Sequence, residues 1–384
     1  MGRMEMTKVE RKAFRALQKH LDRQAVGFPA TRRGSELRFL RRLFTVEEAE
    51  LALHLSYRPG PLGGIMETAS PVFTEERASQ LLESLLQKGA IGHKLEDGAD
   101  LWYLLPLIIG MFEAQDGRPT RGFLRDAGEY MRTVAFGKSL LSATPSQMRT
   151  IPINKSIPVE HAVATYDQVT SLVEKSPGPF VILPCICRES SALQGKSCKM
   201  TSREETCMGM GSMAAMILRR GHGREIDRRE ALEILEMNQE DGLVLQPGNA
   251  RDPEFICSCC GCCCGMLQIQ KMLPHPVDFW TSSFRAEIDH DKCTGCGVCA
   301  KRCQVDAVTM KGEPPRPEIA LTRCIGCGLC VPTCPAGAIK LVPSQGDNVP
   351  PEDTEELYET IRRKRKGGLA NIAMLLKVLL RMRR

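Results

Sequence analysis

The sequence predicts an α+β protein of more than one domain, and three observations carry that expectation. With 384 residues the chain exceeds what one ordinary core organises. Its first third places apolar residues at helical spacing, whereas residues 150–285 alternate helical patterns with short apolar runs of strand character. All 18 cysteines lie between Cys185 and Cys334, in three groups. Thiols clustered in this way point to metal ligation rather than to a disulfide framework.

The first module is expected over residues 1–125. Ser35 is expected to cap a helix with Leu37, Leu40 and Leu43 on one face, and Thr45-Val-Glu-Glu48 reads as a capping box for the next. Thr74 opens a third helix, in which Ala78, Leu81, Leu82, Leu85 and Leu86 keep helical spacing up to Gly89. Two strand-like runs then flank Asp97-Gly98, a hairpin turn signal. Helices followed by a helix and a hairpin resemble a winged helix-turn-helix. That resemblance implies DNA contact, which residues 1–44, with twelve Lys and Arg against four acids, would favour. The helix that would enter the groove carries Glu75, Glu76 and Glu83 against Arg77 and Lys88, and acids there repel phosphates. A structural or partner-docking module is therefore expected, and nucleic-acid binding is not.

Residues 150–285 read as a small cysteine-rich α/β domain. A helical pattern from Val159 to Lys175 leads into the apolar run Phe180 to Leu183 and then Pro184-Cys-Ile-Cys187. Further on, Arg229 to Met237 is helical, Gly242 stops it, and Leu243 to Leu245 precedes Phe255-Ile-Cys-Ser-Cys259. Helix, strand and C-x-C occur twice, so two related half-units are expected to bring their sulfurs to the same end of a sheet. GMGSMAAM, from Gly209, contains a G-x-G but follows Cys207 rather than an evident strand, and its methionines suit helix packing.

Residues 286–341 carry the most specific pattern. Cys293-x2-Cys296-x2-Cys299-x3-Cys303 is followed by Cys324-x2-Cys327-x2-Cys330-x3-Cys334-Pro335. Three thiolates at this spacing wrap one corner of an iron–sulfur cubane, and the glycines between them, Gly295, Gly297, Gly326 and Gly328, allow the tight turns required. Zinc ribbons would instead separate two C-x-x-C pairs by a longer loop. The segment resembles the bacterial two-cluster ferredoxins. The resemblance implies that one [4Fe-4S] cluster takes Cys293, Cys296, Cys299 and Cys334, and the other Cys324, Cys327, Cys330 and Cys303. One departure is Gln304, which follows Cys303 where the family pattern has proline.

Ten cysteines remain: Cys185, Cys187, Cys198, Cys207, Cys257, Cys259, Cys260, Cys262, Cys263 and Cys264. Six of them fall in the nine residues of CSCCGCCCG, Cys257 to Gly265. In an extended strand Cys257 and Cys259 would point to one face, and Cys260, Cys262 and Cys264 to the other. One zinc cannot use such a row, so the run is expected to be a wall between two further [4Fe-4S] clusters, with Cys185, Cys187, Cys198 and Cys207 as outer ligands. Cubanes take four thiols each, which leaves two spare. A structural zinc domain is the alternative. PCICR, two further cysteines and CSCCGCCCG, between a winged-helix-like front and a ferredoxin end, resemble multidomain iron–sulfur proteins of anaerobic bacteria.

Residues 342–384 read as an acidic linker and a basic tail. From Arg362 the tail has nine Lys and Arg and no acid. Ile372, Leu375, Leu376, Leu379 and Leu380 share one helical face while Lys377, Arg381 and Arg384 share another, a pattern that would dock to an anionic membrane surface or an acidic partner. The N-terminus has no signal-peptide core, and a cytoplasmic protein is expected. The sequence shows no dinucleotide fingerprint, P-loop or Ser/His/Asp set. The expected function is an electron carrier, or the electron-wiring subunit of an anaerobic oxidoreductase, with redox proteins as partners. The rivals are a redox-responsive winged-helix transcriptional regulator and an enzyme with an open-site cluster.

Overall fold

The computed structural model describes residues 5–117, 119–156, 165–344 and 349–365. They fall into two compact units. One is built from the described residues of Met1–Ala143 with Arg219–His222 and Ile361–Arg365; the other from those of Thr144–Leu218 and Gly223–Thr360.

In the first unit, α1 (Lys8–Asp22), α2 (Ser35–Leu43) and α3 (Val46–Ala52) precede a short β1 (Gly60–Pro61) and α4 (Leu62–Ala69). Then come α5 (Glu75–Gln87), the hairpin β2 (Ile91–Glu96) and β3 (Ala99–Leu104), α6 (Arg121–Met131) and α7 (Val134–Ser142). The Thr45 capping box forms: Thr45 Oγ1 accepts from the Glu48 amide at 3.2 Å, and Glu48 accepts from the Thr45 amide at 2.8 Å. Thr74 caps α5 as its sequence predicts. Ser35 does not cap α2. Gly34, with φ +62°, holds that position, and the Ser35 amide donates to Thr31 Oγ1 at 3.1 Å, so the cap comes from four residues upstream. Leu82, Leu85, Leu86 and Ile91 are wholly buried, which makes the helical stripe of α5 and the start of β2 the centre of this unit's core.

The second unit opens with β4 (Arg149–Thr150), α8 (Val169–Lys175), β5 (Phe180–Pro184), α9 (Ile186–Leu193), β6 (Glu205–Met210) and α10 (Gly211–Arg219). It continues through β7 (Arg224–Ile226), α11 (Arg228–Glu240), β8 (Val244–Pro247), β9 (Phe255–Cys259), α12 (Gly265–Met272) and β10 (Thr281–Ser282). Strands β7-β5-β6-β9-β8 form one sheet in that order, and every neighbouring pair is antiparallel. Because β6 runs against both β5 and β9, the exits of β5 and β9 and the entry of β6 meet at one end. That end receives the sulfurs, as the repeat of helix, strand and C-x-C anticipates. The two C-x-C motifs are not equivalent, however. Cys257 and Cys259 both lie within β9, while Cys185 follows β5 and Cys187 is already in α9. Of the helical segment expected from Val159 to Lys175, residues 159–164 lie outside the described residues; in the rest Thr165–Asp167 is a short 3-10 turn and the helix is α8, Val169–Lys175.

The G-x-G of GMGSMAAM does follow a strand, since Cys207 and Gly209 belong to β6, which passes directly into α10. Its first glycine serves packing: a Cβ at Gly209 would stand 2.9 Å from Val181 Cγ1. Arg149 is buried and donates to the carbonyls of Ala250 (2.7 Å), Tyr166 (2.5 Å) and Gly248, with Asp167 at 3.5 Å. Desolvation holds its pKa down at about 10, so it remains a cation that pins three chain segments beside the sheet.

The last part of this unit pairs β11 (Phe284–Ile288), before the helical turn α13 (Val298–Arg302), with a terminal strand. Between them lies the hairpin β12 (Val308–Lys311) and β13 (Arg316–Ile319), and the terminal strand is β14 (Ile339–Pro343), antiparallel to β11. Helix α14 (Thr354–Lys364) closes the described chain. The amphipathic tail read from Leu369 lies outside the described residues. Among them, no helix is long and apolar enough to cross a membrane.

Candidate metal centres

The eight cysteines of residues 293–334 gather into two quartets, and each exchanges one member with the other run. Cys293, Cys296, Cys299 and Cys334 line one hollow of about 320 Å³; Cys303, Cys324, Cys327 and Cys330 line another of about 380 Å³. Backbone amides point at the sulfurs: Gly295 N to Cys293 Sγ at 3.4 Å, Ala307 N to Cys303 at 3.2 Å, Ala286 N to Cys324 at 3.4 Å and Ala338 N to Cys334 at 3.3 Å. Gly326 is obligatory on two grounds. Its φ is +63°, and a Cβ would meet the Phe284 carbonyl oxygen at 2.1 Å. Burial raises the thiols of Cys324 and Cys330 and pushes that of Cys327 up to about 12. Metals take these ligands as thiolates, so loading the quartet must release the protons of Cys324, Cys327 and Cys330.

The remaining ten cysteines divide into a ring and a tetrad. Cys185, Cys187, Cys264, Cys259, Cys257 and Cys207 each act on the titration of their two neighbours in that order, with Cys207 again acting on Cys185, so these six thiols lie together as a ring. Cys198, Cys260, Cys262 and Cys263 form the second group, with all four sulfurs within 4.8 Å of one another. Alternation along an extended strand would put Cys264 with Cys260 and Cys262, but Cys264 lies outside their tetrad. Strand β9 ends at Cys259, the chain turns so that the amides of Cys263 and Cys264 reach the Cys260 carbonyl at 3.4 and 3.0 Å, and Cys264 returns to the ring as the N-cap of α12. Of the four expected outer ligands, Cys198 lies with the tetrad and Cys185, Cys187 and Cys207 with the ring.

Two ring thiols occupy matching places. Cys185 is the N-cap residue of α9 and Cys264 that of α12, and neither side chain bonds a cap amide. Cys185 is held well below the usual thiol range by hydrogen bonds from Cys187 and Cys207, with Arg188 nearby, while its ring neighbours Cys187 and Cys207 are raised, foremost by their bonds to Cys185.

Arg188 is the functional residue that ligand counting missed. Its guanidinium is buried and donates to Thr206 Oγ1 at 2.6 Å and the Ser258 carbonyl at 2.9 Å, leaving a buried Nε without a hydrogen-bond partner among the described residues. Despite desolvation its pKa is raised, because Cys185 and Cys207 of the ring and Cys260 and Cys198 of the tetrad all act on it. One fixed cation thus acts on both groups, and its donors suit a sulfur-bound anionic centre. The arginine directly after Cys187 in PCICR was the available signal.

Gln304 explains the departure from the ferredoxin pattern. Its side-chain carbonyl accepts from the Gly261 amide at 2.8 Å, and its amide donates to Met200 Sδ at 3.4 Å. A Cβ on Gly261 would stand 2.3 Å from the Gln304 backbone oxygen, so the two chains meet closely at the middle of CSCCGCCCG. Cys257, Cys259 and Cys264 also share one apolar core with Cys303, Cys324 and Cys327, around Leu267, Val305 and Ile325.

Residues 286–341 match a family model for the 4Fe-4S dicluster domain. No curated protein and no solved structure matches the chain. The matched segment, together with sulfurs, turn glycines and inward amides that fit cubanes, makes [4Fe-4S] clusters cofactors of this protein and electron transfer its role.

Proposed function

We propose that the chain is a multicentre electron wire, the electron-transfer subunit of a larger oxidoreductase rather than a stand-alone enzyme. The ferredoxin module would hold one cluster on Cys293, Cys296, Cys299 and Cys334 and a second on Cys303, Cys324, Cys327 and Cys330. The ring Cys185, Cys187, Cys207, Cys257, Cys259 and Cys264 would hold a further iron–sulfur cluster. These groups would supply one-electron redox chemistry, and the chain would set their spacing and charge. The observation that carries the reading is the core shared by ring thiols and the second ferredoxin quartet, reinforced by the Gln304 to Gly261 bond. Tunnelling falls steeply with distance, so centres fixed in one packed core exchange electrons quickly. Stepwise reduction of the full chain, purified without oxygen and followed by electron paramagnetic resonance, should take up more than two electrons and broaden the cluster signals by spin coupling. Uptake of two electrons with unbroadened signals would defeat the wire.

Eighteen free thiols suit a reducing compartment, and we place the protein in the cytoplasm on that ground. The basic tail supports docking to an acidic partner or an anionic membrane surface. A deletion testing this should begin at Lys366, because Ile361 is fully buried and Arg365 binds Asp22.

A regulator is the second reading, and a specific observation favours it. The order α3, β1, α4, α5, β2, β3, with sheet order β1-β3-β2, supports a winged-helix reading of the first unit. On α5, however, Arg77 is taken up by Glu47 at 2.8 and 2.5 Å, and Glu75 and Glu76 are exposed. That surface suits a protein partner better than phosphates. Sequence-selective gel shifts with genomic fragments would reverse this preference.

A further inference from the structure

The tetrad differs in kind from the two ferredoxin quartets. Cys198 Sγ lies 3.6 Å from Cys260 Sγ and 3.8 Å from Cys262 Sγ, and Cys262 Sγ lies 3.7 Å from Cys263 Sγ. Four sulfurs bound to one ion at about 2.3 Å form a tetrahedron with edges of about 3.8 Å. In a cubane each cysteine binds a different iron, so the four outer sulfurs stand around a bulky body and do not touch. The ferredoxin quartets have that open arrangement, around hollows of about 320 and 380 Å³.

We propose that Cys198, Cys260, Cys262 and Cys263 bind a single tetrahedral thiophilic ion, zinc or mononuclear iron, distinct from the iron–sulfur clusters. The local chain is built for such a site. The amides of Lys199 and Met200 approach Cys262 Sγ and Cys198 Sγ at 3.4 and 3.5 Å, neutralising part of the thiolate charge. Cys260 and Cys263 are buried beside the fully buried Leu243, with Met200 packed against them. Four protein ligands leave no open position, which marks a closed rather than a substrate-binding site. The ion would clamp the loop carrying Cys198 onto the turn that delivers Cys264 to the ring.

The test uses the full chain purified without oxygen. X-ray absorption at the zinc edge should give four sulfurs at about 2.3 Å with no metal neighbour. If iron occupies the site, oxidised protein should instead show the high-spin ferric signal of an isolated Fe–thiolate centre. Cys198→Ser, at a half-buried position, should lose one ion per chain and no acid-labile sulfide, with the ferredoxin signals retained as proof of folding. Cobalt(II) added to metal-depleted wild type should give the visible bands of tetrahedral thiolate cobalt. Absence of both the zinc shell and the isolated ferric signal in the wild type would overturn the proposal. So would a Cys198→Ser protein that keeps the ferredoxin signals but loses several irons with matching sulfide. The electron-wire reading would survive either result, because it rests on the ring and the ferredoxin module.

Discussion

The ferredoxin module and the CSCCGCCCG segment hold comparable numbers of sulfurs, yet they assemble them by opposite means. In the module, each run delivers three thiols by local turns, and one long-range exchange, of Cys303 for Cys334, completes both quartets. In the middle domain no group is local. The ring draws on the exit of β5, the entry of β6, strand β9 and the cap of α12, and the tetrad joins a loop at Cys198 to the turn after Cys259. A motif whose ligands are close in sequence can be recognised without its fold. A centre collected from the end of a sheet cannot, because its membership is decided by where strands stop.

The largest effect that sharpens this contrast comes from paired ligand changes. Cys327→Ser should remove about four irons with the sulfide of one cubane, and Cys257→Ser should remove the ring's iron while the ferredoxin signals persist. Metal and sulfide analysis with resonance spectra reads both. If Cys257→Ser also erased the ferredoxin signals, the two regions would be one cooperative centre and the contrast would fail.

Next in size is Gly261→Ala, which drives a Cβ into the Gln304 backbone. We expect a cost of about 3 kcal/mol, read as a lowered midpoint in anaerobic thermal unfolding, because both partners are constrained chain rather than flexible side chain. Gln304→Leu keeps the volume but strands the buried Gly261 amide, for about 1–2 kcal/mol. An unchanged midpoint in both would mean that the contact does not tie the ferredoxin module to the thiol turn.

The smallest effect is electronic. Arg188→Met removes a buried cation beside both thiol groups, so the oxidised, less negative state of the ring cluster gains relative to the reduced one. Its potential should fall by on the order of tens of millivolts, while the cluster on Cys293, Cys296, Cys299 and Cys334 stays put. Equal shifts at both would argue for a global change in packing.

Much of the first unit was legible. The capping box at Thr45, the helix capped by Thr74 and the turn at Asp97-Gly98 are set by interactions within four residues or by a two-residue loop. Ser35 failed as a cap because Thr31 competes for the same role from outside the window that the motif considers. The alternation of Cys257 and Cys259 held for as long as β9 held, and lost Cys264 once the backbone turned on the Cys260 carbonyl.

By itself the sequence determined that sulfur chemistry governs residues 185–334 and that residues 293–334 carry ferredoxin spacing, since ligand spacing of three residues is a property of the local chain. Only the tertiary structure decided how the other ten cysteines divide into six and four, that Arg188 lies against both groups, and that Gln304 bonds to Gly261. Those outcomes depend on an antiparallel sheet bringing residues up to 79 positions apart, Cys185 and Cys264 at the extremes, to one end, and side-chain proximity across that span is written in packing rather than in periodicity.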